Sequence, residues 1–262
     1  MDLELNNKTA LVTGSNRGTG EIIAQALARE GVSVIFHSND EGASSDVAAT
    51  VDGACGVWGD ISNDQGAQQV LTQAFAATDH IDILVNNYGT TSRGSWDKST
   101  TEEWLDIYQK NVLSATRMIQ GIVPGMKEKG WGRIIQLGTI GSHQPNAVMP
   151  HYYSAKGALA TMGPSLAKEL SHTGITVNTV SPGLIRTPEL EAGFRKRATR
   201  ENWGDSWQEI EAKIVELNFP NPCGRIAERE EVADLVVFLA SHRAAFVNGQ
   251  NIRIDGGAVN YV

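Results

Sequence analysis

Short apolar runs rich in β-branched residues alternate with longer segments in which apolar positions recur every three or four residues, from one end of the chain to the other. Short continuous runs describe strands and the 3.6-residue period describes helices, so the alternation predicts βαβ units and a parallel sheet. Strands are expected at Thr9–Thr13, Val32–His37, Gly56–Trp58, Ile83–Asn86, Arg133–Leu137, Thr176–Ser181 and Asn251–Ile254. The first, fourth and fifth are nearly all apolar, as central strands covered by helices on both faces must be. Helices are expected at Glu21–Glu30, Asp64–Ala77, Glu102–Glu128, His151–Leu170 and Glu230–Ala240, with Thr101 as the N-cap ahead of Glu102 and Glu103. The fold class that follows is α/β, with a seven-stranded parallel sheet flanked by helices.

One region breaks the alternation. Glu189 to Pro222, between the sixth strand and the last helix, has no strand pattern and is too long for an ordinary connection. It is expected to form a helical flap over a binding site. Trp203 and Trp207 are four apart and are expected to share a face with Ile210 and Ile214, a stripe suited to packing the flap onto the body or a neighbouring subunit.

Composition narrows the function classes. The chain has 262 residues, 41% hydrophobic and 20% charged, a size at which a doubly wound α/β fold remains one domain, here residues 1–262 with the flap included. No apolar run is long enough to cross a bilayer, and the N-terminus shows no basic region followed by a cleavable apolar stretch, so no membrane partner and a cytoplasmic address are expected. A net charge of -8 argues against a nucleic-acid partner. The local basic cluster Arg195, Lys196, Arg197 and Arg200 is interleaved with Glu189, Glu191, Glu201 and Asp205, the pattern of a solvated helix face. Cys55 and Cys223 have no metal-ligand spacing, so neither a metal nor a disulfide is expected.

The first strand runs through Thr13-Gly14-Ser15-Asn16-Arg17-Gly18-Thr19-Gly20 straight into a helix. Glycines at these positions permit a tight turn and bring backbone N–H groups, at the positive end of a helix, against a pyrophosphate. Asp60-Ile61 after the third strand and Asn86-Asn87-Tyr88-Gly89 after the fourth fall on the strand ends that line the ligand crevice of an open α/β sheet. Farther on stands Tyr152-x-x-x-Lys156, two residues one helical turn apart, with Cβ atoms roughly 5–6 Å from each other. These motifs, in this order and at these intervals, resemble the short-chain dehydrogenase/reductase family over nearly the whole chain, from about Asn6 to Gly257.

The resemblance implies a doubly wound (Rossmann) sheet and an oxidoreductase that moves a hydride between a nicotinamide dinucleotide and a carbonyl or alcohol. It assigns Asp60 and Ile61 to the adenine, and Asn87 and Gly89 to the ribose beside the nicotinamide. Pro182-Gly183-Leu184-Ile185-Arg186-Thr187 matches a family segment whose backbone and Thr side chain hold the carboxamide. NAD sites commonly carry an acidic residue at the end of the second strand; here Val34-Ile35-Phe36-His37-Ser38-Asn39 reaches no carboxylate until Asp40. Arg17 stands as in NADP-using relatives, so NADP(H) is the expected cofactor, with NAD(H) the alternative, and Arg17, His37, Ser38 and Asn39 form the expected 2′-phosphate pocket.

For the chemistry, the resemblance makes Tyr152 the proton-transferring acid/base and gives Lys156 a second contact to the ribose. A free phenol titrates near ~10; the Lys156 ammonium and the cationic nicotinamide are expected to lower that value. The family's catalytic Ser falls here on Thr139, which keeps the hydroxyl; Ser142 is the rival. Asn111 matches the Asn that bends the long helix and positions a water joining Lys156 to solvent. Tyr88 stands where the family has Ala. Tyr88, Ser92, Gln144, Met149, His151, Tyr153 and Glu189 are expected to line the substrate pocket with the flap, and Arg93, Arg186 and the flap cations are candidates for a phosphopantetheine arm.

The leading reading is an NADP-dependent ketoreductase resembling 3-oxoacyl-carrier-protein reductases. Its alternatives are an NAD-dependent alcohol or polyol dehydrogenase, and a non-catalytic nucleotide-binding sensor or scaffold. Relatives assemble through the two long helices and the last strand, which implies a homotetramer or, failing that, a dimer.

Overall fold

A computed structural model describes residues 2–261. Strands β1 (Thr9–Val12), β2 (Ser33–Ser38), β3 (Cys55–Trp58), β4 (Ile83–Asn86), β5 (Gly132–Leu137), β6 (Ile175–Pro182) and β7 (Asn251–Ile254) form one sheet in the order β3-β2-β1-β4-β5-β6-β7. Every neighbouring pair is parallel. All seven expected strands are present, with ends shifted by at most one residue.

The helices are α1 (Gly18–Arg29), α2 (Ala43–Ala48), α3 (Asp64–Ala77), α4 (Thr101–Tyr108), α5 (Ser114–Lys129), α6 (Pro150–Glu169), α7 (Pro188–Glu201), α8 (Trp207–Leu217) and α9 (Arg229–Ala240). Residues of α1 and α9 meet Val12, Phe36, Val85 and Ile135 in a core on one face of the sheet. On the other face, α3, α5 and α6 pack over Leu11, Ile35, Leu84 and Ile134. Burial on both faces is why these strands carry continuous apolar runs.

Three elements depart from expectation. Ala43–Ala48 is helical although Ser44, Ser45 and Asp46 give it no apolar period; side-chain bonds hold it, with Ser38 Oγ accepting from the Ser44 N–H and Ser44 Oγ donating to the Val57 carbonyl. The helix expected over Glu102–Glu128 is interrupted by a π-helical segment, Gln109–Leu113, between α4 and α5. The N-cap there is Thr100 rather than Thr101: its hydroxyl accepts from the Glu103 N–H, and Glu103 returns a bond to the Thr100 N–H, a reciprocal pair that only the three-residue spacing allows.

The flap is helical, as expected, and consists of α7 and α8. Thr187 caps α7 and Ser206 caps α8. Ala198, Ile210, Ile214 and Ile226 form a small core of their own, joined by Leu184, Leu190, Phe194, Trp203, Trp207 and Phe219. The two tryptophans do not share a helix: Trp203 lies in the turn between α7 and α8 and stacks on Phe194, whereas Trp207 opens α8 beneath the Arg186 guanidinium.

The sheet order reverses between β1 and β4, so the connections leaving these two strands diverge and open a crevice at their C-terminal ends. The glycine turn after β1 and Asn87 after β4 both stand there.

Candidate active site

At the crevice, Gly14 and Gly18 take positive φ values of 62° and 67°, which lets the turn fold back on itself. Gly20 has no room for a side chain: a Cβ there would lie 2.3 Å from Asn87 Nδ2 and 2.5 Å from the Gly14 carbonyl. Asn87 uses that proximity, its Nδ2 donating to the carbonyls of both Thr13 and Gly14 at 2.9 Å. The amide nitrogen of the side chain expected at the ribose is therefore committed to holding the turn, as is the Asn87 backbone N–H, which donates to Thr13 Oγ.

The N-cap of α1 is Arg17, which makes no side-chain capping bond. The first-turn N–H groups of Gly18, Thr19 and Gly20 thus remain available to an anion, reinforced by the helix dipole. Gly14, Asn16, Arg17, Gly18, Asn39 and Gly89 line a cavity of about 350 Å³ in front of them. Arg17 is exposed and is the only cation lining it among the described residues. A dinucleotide's pyrophosphate and 2′-phosphate fit this donor set.

Three residues expected at the phosphates are placed otherwise. Ser15 is fully buried; its hydroxyl donates to Val12 O and accepts from the His37 N–H, and its own N–H donates to His37 O. His37 is equally buried. Its Nδ1 accepts from the Gly14 N–H at 2.9 Å, so Nε2 carries the proton and donates to Gly59 O at 3.0 Å. Burial pushes this imidazole down to about 4, leaving it neutral with no nitrogen to offer. Ser38 spends its hydroxyl on Asp40 O and the Ser44 N–H. These side chains brace β1, β2 and β3 behind the phosphate site, and only Arg17 and Asn39 of the expected pocket face it.

His37 makes stability depend on pH. An unfolded imidazole binds its proton below about 6.5 and the folded one only near 4, so stability falls as pH drops through that window. The full effect is about 3 kcal/mol, and a His37→Gln variant should show a correspondingly flatter dependence in denaturant titrations between pH 7.5 and 4. Parallel curves for the two proteins would contradict it.

Asp60 is exposed past β3, with Oδ1 accepting from the Ser62 N–H, while Ile61 turns its side chain into the core, which leaves its backbone for any adenine contact. Tyr88 is not on the substrate side. Its hydroxyl accepts from Asn39 Nδ2 at 3.1 Å, its ring meets His37 edge-on, and it lines the glycine-turn cavity. Glu189, in the first turn of α7, lines that same cavity.

The chemical residues converge next to it. Lys156 is buried in α6 and donates to Leu137 O at 2.8 Å, the strand end that leads into Thr139. Its Nζ lies 5.9 Å from the centre of the Tyr152 ring. Asn111 sits in the π-helical segment, where Nδ2 donates to the carbonyls of Thr90 and Ile107 and the buried Oδ1 has no partner. That oxygen and Lys156 Nζ both crowd Gly89: a Cβ on Gly89 would stand 2.5 Å from the first and 3.4 Å from the second. An unpaired buried acceptor beside an ammonium with protons to spare is the geometry of a bridged link between them.

The expected lowering of Tyr152 is not what the protein alone produces. Burial, followed by the adjacent Tyr153, pushes the phenol up to about 12, and burial pushes Lys156 down to about 8. Desolvation disfavours both charged forms. Tyr152 is therefore held as a proton donor.

Thr139 Oγ accepts from the Gly141 N–H, which leaves the hydroxyl proton free, whereas Ser142 Oγ donates to Thr139 O and closes the turn. Thr139, Gln144 and Tyr153 line a second cavity, of about 410 Å³, with Gly183 and the flap. Phe194, Asn218 and Phe219 are among the flap residues that line it, and Asn146 and Val259, which sequence reasoning missed, also line it. Met149 is elsewhere: as the residue before α6 it points toward Arg93 and Lys98, and its sulfur accepts from the Thr91 hydroxyl. Ser92 and His151 meet each other, at 3.4 Å, rather than this cavity.

In the carboxamide segment, Pro182 ends β6 and the Gly183 N–H is taken by Ile254 O. Leu184 and Arg186 bond to Ala227 on one side, so the Ile185 N–H points to the other, while the Ile185 carbonyl accepts from the Thr187 N–H at 3.0 Å. Thr187 Oγ accepts from the Leu190 N–H and keeps its proton for donation.

Comparison with known proteins agrees with this arrangement. The family model described as enoyl-(acyl carrier protein) reductase matches residues 14–259. The 3-oxoacyl-[acyl-carrier-protein] reductase FabG of Vibrio cholerae is 33% identical over 256 residues, 97% of this chain and 98% of its own. Among solved structures, L-sorbose reductase from Gluconobacter frateurii, complexed with NADPH and L-sorbose, is 30% identical with a TM-score of 0.93 over 100% of both chains. A gluconate 5-dehydrogenase from Burkholderia cenocepacia, in complex with NADP and tartrate, is 25% identical with a TM-score of 0.87, over 100% of this chain and 98% of its own. The chain belongs to the short-chain dehydrogenase/reductase family. It is an oxidoreductase of the carbonyl and alcohol class.

Proposed function

We propose that this chain is an NADP(H)-dependent carbonyl reductase, working in reverse as an alcohol dehydrogenase, on a ketone or secondary alcohol. The observation that carries the reading is the convergence of Tyr152, Lys156, Thr139 and Asn111 beside the uncapped first turn of α1. Arg17 and Asn39 hold the 2′-phosphate, the N–H groups of Gly18, Thr19 and Gly20 hold the pyrophosphate, and Ile185 and Thr187 orient the carboxamide. When bound, the dinucleotide supplies the hydride in reduction and accepts it in oxidation.

Thr139 donates to the substrate oxygen and fixes its position. Tyr152, neutral through burial, delivers its phenolic proton to that oxygen. Lys156, charged below about 8, and Asn111 Oδ1 provide the route by which the phenol regains it. The NADPH in the L-sorbose reductase and the NADP in the gluconate dehydrogenase structure support the cofactor preference over NAD(H). Purified protein should oxidise NADPH faster than NADH when a carbonyl is offered; tight NADPH binding with no turnover across a broad carbonyl panel would favour a sensor.

A 3-oxoacyl thioester is the second reading, favoured by the similarity to FabG. The proposed assembly is a homotetramer or dimer. The outer faces of α5 and α6 leave a groove of about 750 Å³ lined by Ile119, Val123, Pro124, Met162 and Leu166, which supports pairing there. Light scattering that found only a 28.2 kDa species would rule it out. Among the described residues no helix is long and apolar enough to cross a membrane.

A further inference from the structure

Given the carbonyl-reductase reading, on which this inference rests, we propose that the substrate is a neutral polyhydroxylated ketone of sugar size, and that Gln144, Tyr153 and Asn218 select it. The cavity beside Thr139 measures about 410 Å³, within the range of sites for small ligands. Among the described residues no charged side chain lines it. The candidate cations for a phosphate-bearing acyl carrier arm stand outside the cavity lining, and all of them except Lys196 and Arg93 are ion-paired. Arg186 is paired with Glu191 and Glu228, Arg195 with Glu191, Arg197 and Arg200 with Glu201, and Arg93 lines a different cavity.

What the cavity offers instead is a ring of neutral hydrogen-bonding groups. The Tyr153 hydroxyl accepts from Asn146 Nδ2 at 2.9 Å, so its proton points to other acceptors. Asn218, at the C-terminal end of α8, has Oδ1 held by Arg197 at 2.9 Å, which orients the amide and leaves Nδ2 to donate. Gln144 is exposed in the loop after β5 and brings both an acceptor and a donor. Thr139 keeps one proton for the reacting oxygen. Hydroxyl groups, each donor and acceptor at once, match this set, whereas an acyl chain would displace the water from these solvent-reached groups without replacing its hydrogen bonds. Phe194 and Phe219 supply the apolar wall on which the C–H face of a sugar rests. The product is the corresponding polyol, formed by the hydride and proton transfers described above.

The test offers the intact protein and NADPH three probes: a panel of 2-ketohexoses, the N-acetylcysteamine thioester of 3-oxobutyrate, and 2,3-butanedione. The expected result is a kcat/KM for at least one ketohexose about tenfold or more above that for the thioester. Gln144→Leu and Asn218→Leu should each raise the ketohexose KM by about tenfold, the worth of one hydrogen bond, with NADPH affinity by fluorescence reporting that the variants are folded. Reduction of the thioester or the diketone with no ketohexose turnover overturns the inference and leaves the reductase reading standing. NADPH binding with no reduction of any probe overturns both.

Discussion

Tyr152→Phe is expected to lower kcat for carbonyl reduction by about 10²–10⁴-fold, the usual worth of a positioned general acid. The ring stays in its contacts with Ile107, Val112 and Ala155, so the fold is kept and only the phenolic proton is lost. NADPH affinity, read by quenching or fluorescence, should stay within about tenfold, since at most one hydrogen bond to the cofactor goes with the hydroxyl. The same residues set the pH profile. With the phenol up at about 12 and Lys156 down at about 8, the acid form of Tyr152 persists through the working range, and reduction should decline above pH 8 as Lys156 loses its charge. Oxidation requires the phenolate and should rise with pH toward the phenol's own titration at about 12. Full activity in the Phe variant would remove Tyr152 from the chemistry.

Arg17→Ala should raise KM for NADPH by about 10–100-fold and leave KM for NADH nearly unchanged. Charged hydrogen bonds contribute about 1.5–3 kcal/mol, and 1.36 kcal/mol is a factor of ten. The effect is expected to be large because Arg17 is unshared. Asp40 and Glu189 line the same cavity with the opposite sign, and neither His37 nor Ser38 is available to compensate. Equal losses with the two cofactors would place Arg17 at the pyrophosphate, and no loss with either would make it a surface residue.

Much of this was legible because burial on both faces writes itself into sequence as apolar runs, which marked β1, β4 and β5 outright, while the other strands were placed by shorter β-branched or apolar stretches in the alternation. The glycine turn and the Tyr152/Lys156 pair were legible for a different reason: a close backbone approach and a helical turn each demand a fixed spacing. The misplacements share one cause, which is that a polar residue at a strand end looks the same whether it faces a ligand or the next loop. His37, Ser38 and Ser15 were assigned to a phosphate, yet each spends its hydrogen bonds on a neighbouring strand connection. Likewise, α2 is held by Ser38 and Ser44 rather than by an apolar stripe, and the π-helical segment around Asn111 leaves no mark on the hydrophobic period. Of the second cavity's walls, Gln144 and the flap were expected, but which flap residues reach it, Phe194 and Asn218 among them, and the contribution of Val259 follow from no local spacing.

The flap's separate core carries a consequence for how this scaffold diversifies. Ile210 and Ile214 are satisfied by Ala198, Ile226 and the surrounding aromatic side chains, not by the cores under α1 or α3. Residues 188–217 can therefore exchange sequence while the sheet keeps its packing, provided that the side chains meeting Leu184, Phe219 and Ile226 stay apolar and Glu191 keeps its pair with Arg186. Of this segment Phe194 lines the cavity beside Thr139 and Glu189 lines the glycine-turn cavity, so libraries seeking new substrates would vary Phe194 together with Gln144, Tyr153 and Asn218 outside it.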